Sequence, residues 1–257
     1  MAFSWTKSST TDEPWWRRAA TRADRALDVV FPPTCLECEG LIEDSRFRHI
    51  CRDCAARMFL VRAPHCTTCG YPFFGAVEDN RDCPHCSGLQ PHFREGRTAT
   101  LMQGPVRRLV HAIKYEGSLH LLADVTAIVR ANPYFRDFLA GARLVPVPLH
   151  PRKRRERGYN QAELIARAFA DAAPGATVTS LLERVTWTST QTRLDRQQRR
   201  ENLKNAFALA KDAPVIPTAR HVLVDDVFTT GATLNACAVA LRRAAVTAID
   251  VATLGHG

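Results

Sequence analysis

The distribution of apolar and polar positions divides the 257-residue chain into a strongly periodic C-terminal part and an N-terminal part with little periodicity. From Arg97 onward, short apolar runs alternate with segments whose apolar residues recur every three or four positions, the signatures of buried strands and core-facing helices. "RTATLMQ" reads as a strand. "PVRRLVHAIKYEG" reads as a helix opening at Pro105 and stopping at Gly117, and "HLLADVTAIVRAN" as a second helix stopping before Pro133. The run "ARLVPVPLH" predicts a strand ending at prolines. It is followed by a helix, "NQAELIARAFADAA", with Leu164, Ile165, Ala168 and Phe169 on one face, and a short strand near "TVTSLLER". "TAIDVATL" closes the chain as a last strand. Strands alternating with helices predict an α/β fold with a parallel sheet covered on both faces.

Within this part, "HVLVDDVFTTGATLNACAVAL" (His221 to Leu241) carries the densest chemistry. His221 to Val224 reads as a buried strand, and Leu234, Ala238, Leu241 and Ala245 recur at helical spacing after Gly231. Between them, Thr229, Thr230, Gly231, Ala232 and Thr233 bring small side chains and hydroxyls to a helix start, where unsatisfied amides favour an anion. Asp225 and Asp226 stand at the carboxyl end of the strand, where open α/β sheets bind ligands, and paired carboxylates accept hydrogen bonds from vicinal hydroxyls. A phosphate beside a diol describes a ribose phosphate. The stretch has neither the Gly-Lys-Ser/Thr end of a Walker loop nor the Gly-x-Gly-x-x-Gly of a dinucleotide site.

The N-terminal part is organised by cysteine. Eight of the nine cysteines form four C-x-x-C pairs, Cys35/Cys38, Cys51/Cys54, Cys66/Cys69 and Cys83/Cys86, separated by twelve, eleven and thirteen residues. Each pair can present two thiolates from a tight turn, and two pairs complete a tetrahedral four-thiolate site, so two structural zinc ions are expected. The simplest assignment joins the first two pairs and the last two. A cross-braced arrangement, first pair with third, uses the same residues and stays open at this level. A thioredoxin-like redox role needs one C-x-x-C at the head of a helix, which four evenly placed pairs do not resemble. His49, His65 and His85 lie near the cysteines, but complete four-cysteine sets leave them no vacancy. Cys237 reads as a small core residue.

Three segments follow from these patterns: an arm with an amphipathic helix over residues 1–33, a double zinc-ribbon module over 34–89, and an α/β domain over 97–257. A hydrophobic fraction of 46% suffices for one such domain and a smaller module. The net charge of +9 favours polyanionic or phosphorylated ligands over cationic ones. No run reaches the 18 or so apolar residues of a membrane span, and the N-terminus lacks an apolar signal core, so a cytoplasmic protein is expected.

The apolar run with Asp225, Asp226 and the Thr230 to Thr233 turn resembles the phosphoribosyl pyrophosphate loop of type I phosphoribosyltransferases. "IKYEG" at 113–117, "VPVPLHPRKRRERGYNQ" at 145–161 and "QTRLDRQQRRENLKNAF" at 191–207, together with the cysteine module, extend the likeness. From about residue 30 onward the chain resembles the ComF family, bacterial competence-associated proteins with a zinc-ribbon start and a phosphoribosyltransferase-like body. The resemblance implies that Asp225 and Asp226 hold the ribose hydroxyls and that Thr229 to Thr233 cradle the 5′-phosphate. It places pyrophosphate at the loop after "LVPVPL", with Arg152 and the backbone around Leu149 and His150, and it implies magnesium bound with the donor. Gln191, Arg199 and Asn202 match the family pattern within a long polar stretch, Thr186 to Lys204, that reads as a lid, with Arg199 reaching the pyrophosphate.

No residue set names an acceptor or an oligomeric state. Two functions fit: a magnesium-dependent phosphoribosyltransferase using phosphoribosyl pyrophosphate on an unidentified acceptor, or a single-stranded DNA-binding or adaptor module of natural transformation working with DNA-uptake proteins. In the second, the arginine loops meet phosphates, and Tyr71, Phe73 and Phe74 offer stacking surfaces.

Overall fold

The computed structural model describes residues 33–86, 88–186 and 205–257. The helix expected over Arg22 to Phe31 lies outside the described residues. After a one-turn helix in the cysteine module, α1 (Arg52–Ala56), the chain runs β1 (Gly96–Leu101), α2 (Pro105–His111), a π turn (Ala112–Glu116), a short 3-10 turn, α3 (Leu122–Ala131), α4 (Pro133–Leu139) and β2 (Arg143–Pro146). It continues with α5 (Pro151–Arg157), α6 (Gln161–Ala172), β3 (Thr177–Val178), β4 (Leu182–Arg184), β5 (Phe207–Leu209), β6 (His221–Phe228), α7 (Ala232–Arg243) and β7 (Ile249–His256).

Five strands form one sheet in the order β1-β7-β6-β2-β3, parallel at every pairing. Alternate residues of β6 feed two separate cores. Val222 and Val224 pack with Val125, Ile128, Ile165 and Phe169 of α3 and α6, whereas Leu223 packs with Leu234, Cys237 and Leu241 of α7. Both faces are therefore covered, as a sheet of near-continuous apolar strands requires. Cys237 is wholly buried in the second core.

Local signals account for most boundaries. Pro105 opens α2, and Gly117, at φ 68°, closes the π turn that follows. Asn132 caps α4 by accepting the Phe135 N–H, and its own amide reaches the carbonyls of Val61 and Ala99. Asn160 caps α6 in the same way and donates to the Val147 carbonyl. Two readings change in detail. "TVTSLLER" divides between β3 in the main sheet and β4, which pairs antiparallel with β5 in a small second sheet. The arginine-rich stretch after β2 is a helix, α5, with Pro151 in its first turn and Gly158 at φ 85° ending it.

The cysteine module is docked on this domain along one edge. The Gly96 N–H bonds the Thr67 carbonyl at 2.7 Å and the Val61 N–H bonds the Ala99 carbonyl at 3.0 Å, which covers the open side of β1. Gly96 is required there, because a Cβ would sit 2.1 Å from the Thr68 carbonyl oxygen. The first half of the module meets α3 through Asp124, which is fully buried and accepts the N–H of Arg48 at 2.7 Å and His49 Nδ1 at 2.6 Å.

Candidate functional site

The carboxyl ends of β2 and β6 form the floor of the site, the place where open parallel sheets bind ligands. β6 runs on past Val224 through both acids to Phe228, because β7 supplies partners along its whole length, Asp225 to Thr253 and Phe228 to His256 among them. Consecutive strand residues point to opposite faces. Asp226 turns toward α6 and the π turn, where its Oδ2 lies 3.0 Å from Lys114 Nζ and 3.3 Å from Gln161 Nε2. Asp225 turns toward α7 and lines a pocket with Val227 and residues Thr229 to Leu234. Its Oδ1 accepts the Asp226 N–H at 2.9 Å.

Asp225 differs electrostatically from an ordinary exposed acid. Burial and then the charge of Asp226 push the Asp225 carboxyl up to about 7, against the pull of the Asp226 N–H, Lys114 and Arg184. Burial works against the Lys114 ammonium, but Asp226 and then Asp225 outweigh it and hold its pKa above the usual lysine value.

Thr229 to Gly231 form the turn between β6 and α7, and Ala232 and Thr233 open the helix. Gly231 occupies the left-handed region at φ 70°, and a Cβ there would meet Phe228 at 2.6 Å and Leu89 at 3.0 Å. Leu89 belongs to the segment leaving the cysteine module, so that module is packed against the turn itself. The Thr230 hydroxyl accepts the Ala232 N–H at 3.4 Å, and α7 starts from this point with its first residues, Ala232 to Leu234, lining the pocket.

On the β2 side, the Val147 N–H bonds the Val224 carbonyl, so Leu149 and His150 leave the sheet beside the acid pair. His150 Nδ1 accepts the Arg152 N–H at the head of α5. The Arg152 side chain is exposed and pairs with Glu156 at 3.2 Å. Lys153 and Arg157, one helical turn apart, occupy the half-buried face of α5. Burial first, then the charges of Arg184, Arg157 and Lys114, depress the Lys153 ammonium below its usual value, so these cations share one neighbourhood. Arg157 donates to Gln161, the residue whose amide reaches Asp226.

Asp225, Asp226 and the Thr229 to Thr233 turn are thus brought together, and Leu149 and His150 follow Val147, which bonds β6 at Val224. Arg199 and the matching Gln191 and Asn202 lie outside the described residues. Val185 and Thr186, at the start of that polar stretch, hydrogen-bond Ala206 and Asn205 at its end. Lys114 and Gln161 acquired no role from the residue pattern, whereas Lys153 and Arg157 belong to the basic stretch to which the resemblance assigns pyrophosphate, with Arg152 singled out there. Taking α5 as a helix would have exposed the shared face of 153 and 157.

The cysteines resolve into two cages. The sulfurs of Cys35, Cys38, Cys51 and Cys54 lie within 4.8 Å of one another, and so do those of Cys66, Cys69, Cys83 and Cys86. The pairing is therefore sequential, not cross-braced. Four thiolates in each set fit a closed, structural zinc site. The neighbouring histidines are engaged elsewhere: His49 with Asp124, and His65 with the Cys66 carbonyl and the Tyr134 hydroxyl. Among the described residues, no helix is long and apolar enough to cross a membrane.

Residues 26–87 match the model of the double zinc ribbon domain. Competence protein F of Haemophilus influenzae is 28% identical over 221 residues, covering 84% of this chain and 94% of that protein. DNA utilization protein YhgH of Salmonella typhimurium is 31% identical over 206 residues, 79% of this chain and 88% of that protein, and its Escherichia coli K12 counterpart is 29% identical over 191 residues. Likeness over nearly the whole of these relatives, together with two four-cysteine cages ahead of a parallel α/β domain, places the chain in the ComF family.

Proposed function

We propose that the protein binds phosphoribosyl pyrophosphate and transfers its ribose 5-phosphate to an acceptor with release of pyrophosphate, in the service of competence and DNA uptake. The observation that carries this reading is the buried acid pair beside the Thr229 to Thr233 turn, with cations on the far side of Asp226. A phosphate, a diol and a second anion can be recognised there in that order. The competence and DNA-utilization names of the relatives support the setting, and a cytoplasmic location goes with it.

Loss of pyrophosphate from C1 develops positive charge on the sugar and negative charge on the leaving group. Asp225 and Asp226 would anchor the 2′- and 3′-hydroxyls and lie close to the cationic ring. The amides and hydroxyls of Thr229, Thr230, Gly231, Ala232 and Thr233 would fix the 5′-phosphate. Leu149, His150 and Arg152 at the head of α5, and Arg199, keep the pyrophosphate roles that the family likeness implies. One or two carboxylates with substrate phosphates are the usual ligands of magnesium, so the acid pair fits an ion that arrives with the donor. Bound there, magnesium would neutralise leaving-group charge.

The test is calorimetric titration with phosphoribosyl pyrophosphate and magnesium. Binding by the wild type, abolished or strongly weakened in Asp225→Asn/Asp226→Asn, supports the reading. Equal binding by both proteins overturns it. A single-stranded DNA module is the second reading, favoured by the aromatic surface of the second ribbon, where Phe74 is 60% exposed and packs on Phe59 and Tyr71. Steep salt dependence of DNA binding, with no response to the sugar phosphate, would establish that reading instead.

A further inference from the structure

The π turn that carries "IKYEG" delivers Lys114 to the centre of the site. Isolated π turns inside helices recur at functional positions. Here the turn is held from below, since the Tyr159 hydroxyl donates to the Ile113 carbonyl and fastens it to the junction of α5 and α6. The Lys114 side chain, 27% exposed, ends 3.0 Å from Asp226 Oδ2. Gln161 contacts the same oxygen, so among the described residues both side-chain contacts fall on Oδ2, and Oδ1 can serve a ligand. Asp226 can therefore keep Lys114 and still accept a hydroxyl.

The cations around this point outnumber their acidic partners. Lys114 and Arg157 both approach the exposed Tyr115 ring, at 6.0 and 5.7 Å from its centroid, and Lys153 shares the inner face of α5 with Arg157. The group lies on the Asp226 side of β6, while the phosphate turn lies on the Asp225 side. A ribose held by both acids would present its 5′-phosphate to the turn and its C1 substituent to the cations.

We propose that Lys114, with Lys153 and Arg157, forms the pocket for the pyrophosphate arm of the sugar donor, so that these residues set the preference for a pyrophosphorylated sugar over a simple sugar phosphate. The inference rests on the donor reading above and assigns a residue outside the loop to which the family likeness assigns pyrophosphate. Lys114 stays on Asp226 in the empty site and adds the pyrophosphate oxygens on binding, as three donors on one ammonium allow.

The experiment compares phosphoribosyl pyrophosphate, with magnesium, and ribose 5-phosphate as calorimetric ligands of the wild type, Lys114→Met and Lys114→Arg. Lys114→Met should weaken the pyrophosphorylated ligand about tenfold or more, the size expected for a lost charged hydrogen bond, and change ribose 5-phosphate less than about threefold. Lys114→Arg should recover most of the loss. Zinc content and a thermal melt establish that each variant is folded, and Lys153→Met, on the half-buried face of α5, should show the same selective loss if Lys114→Met does not fold. Equal loss for both ligands would make Lys114 a prop for Asp226 alone and overturn the inference, as would no loss for either. Failure of the wild type to bind either ligand would instead remove the donor reading, and this inference with it.

Discussion

Asp226 and Asp250 stand on neighbouring strands of one sheet, are 5% and 2% exposed, and are treated in opposite ways. Asp250, at the start of β7, is engaged through both oxygens: Arg94 donates from Nε to Oδ1 at 3.0 Å and from Nη2 to Oδ2 at 2.8 Å, and Arg220 donates from Nε to Oδ2 at 2.7 Å. Asp226, near the end of β6, has among the described residues one ammonium and one long amide contact, both on a single oxygen. A buried carboxylate bonded through both oxygens to two arginines holds a structure together. One with acceptor capacity left over is a binding group whose missing partners arrive with the ligand.

Asp250 also joins three parts of the chain. Arg94 leaves the cysteine module and bonds the Ile249 carbonyl through its N–H, while Arg220 enters β6 and donates to the Phe138 carbonyl at 2.6 Å. Removing the carboxylate takes three charged hydrogen bonds from Arg94 and Arg220, which are 49% and 31% exposed and keep access to water, so the cost is about 1.5–3 kcal/mol. Asp250→Ala should lose that much in urea unfolding and retain sugar-phosphate affinity at temperatures where it is folded. A loss below about 1 kcal/mol would erase the contrast between the two ends of the sheet.

Asp226→Asn should behave the other way round. Loss of a charged acceptor for a ribose hydroxyl costs about 1.5–3 kcal/mol in donor affinity, while stability changes less than in Asp250→Ala, because Asn keeps the volume of the side chain and an oxygen that still accepts from Lys114. Calorimetry and urea unfolding of the same preparation check both halves. A variant that loses stability but not affinity would make Asp226 a second Asp250.

Much of this arrangement is legible in the chain and some of it is not, for a consistent reason. Metal cages and the strand-turn-helix of the phosphate turn are local: C-x-x-C spacing and an apolar run with Asp-Asp and Thr-Gly-Ala-Thr carry their own geometry. Sequential pairing of the cages, left open by spacing alone, is settled by how the module folds along β1 and α3. Ion pairs made across the fold leave no local trace. Arg94 meets Asp250 across 156 positions, and Lys114 meets Asp226 only because a π turn, which no periodicity announces, swings it into the site. The strand boundary at Val224 followed apolar character, whereas β6 is carried to Phe228 by its pairing with β7.

The smallest expected effect concerns Asp225, the acid with the least support from the protein. Around it stand Asp226, Lys114 behind Asp226, Arg184 on β4, and the Cys237 thiol of α7, which burial raises well above its usual value. Burial and then Asp226 push the Asp225 carboxyl up to about 7, against an ordinary value of 3.8 in the unfolded chain. Between these two values the folded protein holds a proton that the unfolded chain has released. The stabilisation is therefore complete below about pH 4 and is lost as pH rises through 7, with a change of about 1 kcal/mol between pH 6 and 7. Asp225→Asn cannot ionise and should lack this slope, so its stability relative to the wild type should grow from pH 5.5 to pH 8 in the absence of sugar phosphate. Thermal or urea unfolding of both proteins across that range measures it, and the histidines, common to both, cancel in the difference. Parallel curves would mean that Asp225 ionises as freely in the fold as in the open chain. Diverging curves would show that the site holds its ligand-anchoring acid at a cost in stability, which the pairing of Asp250 avoids at the other end of the sheet.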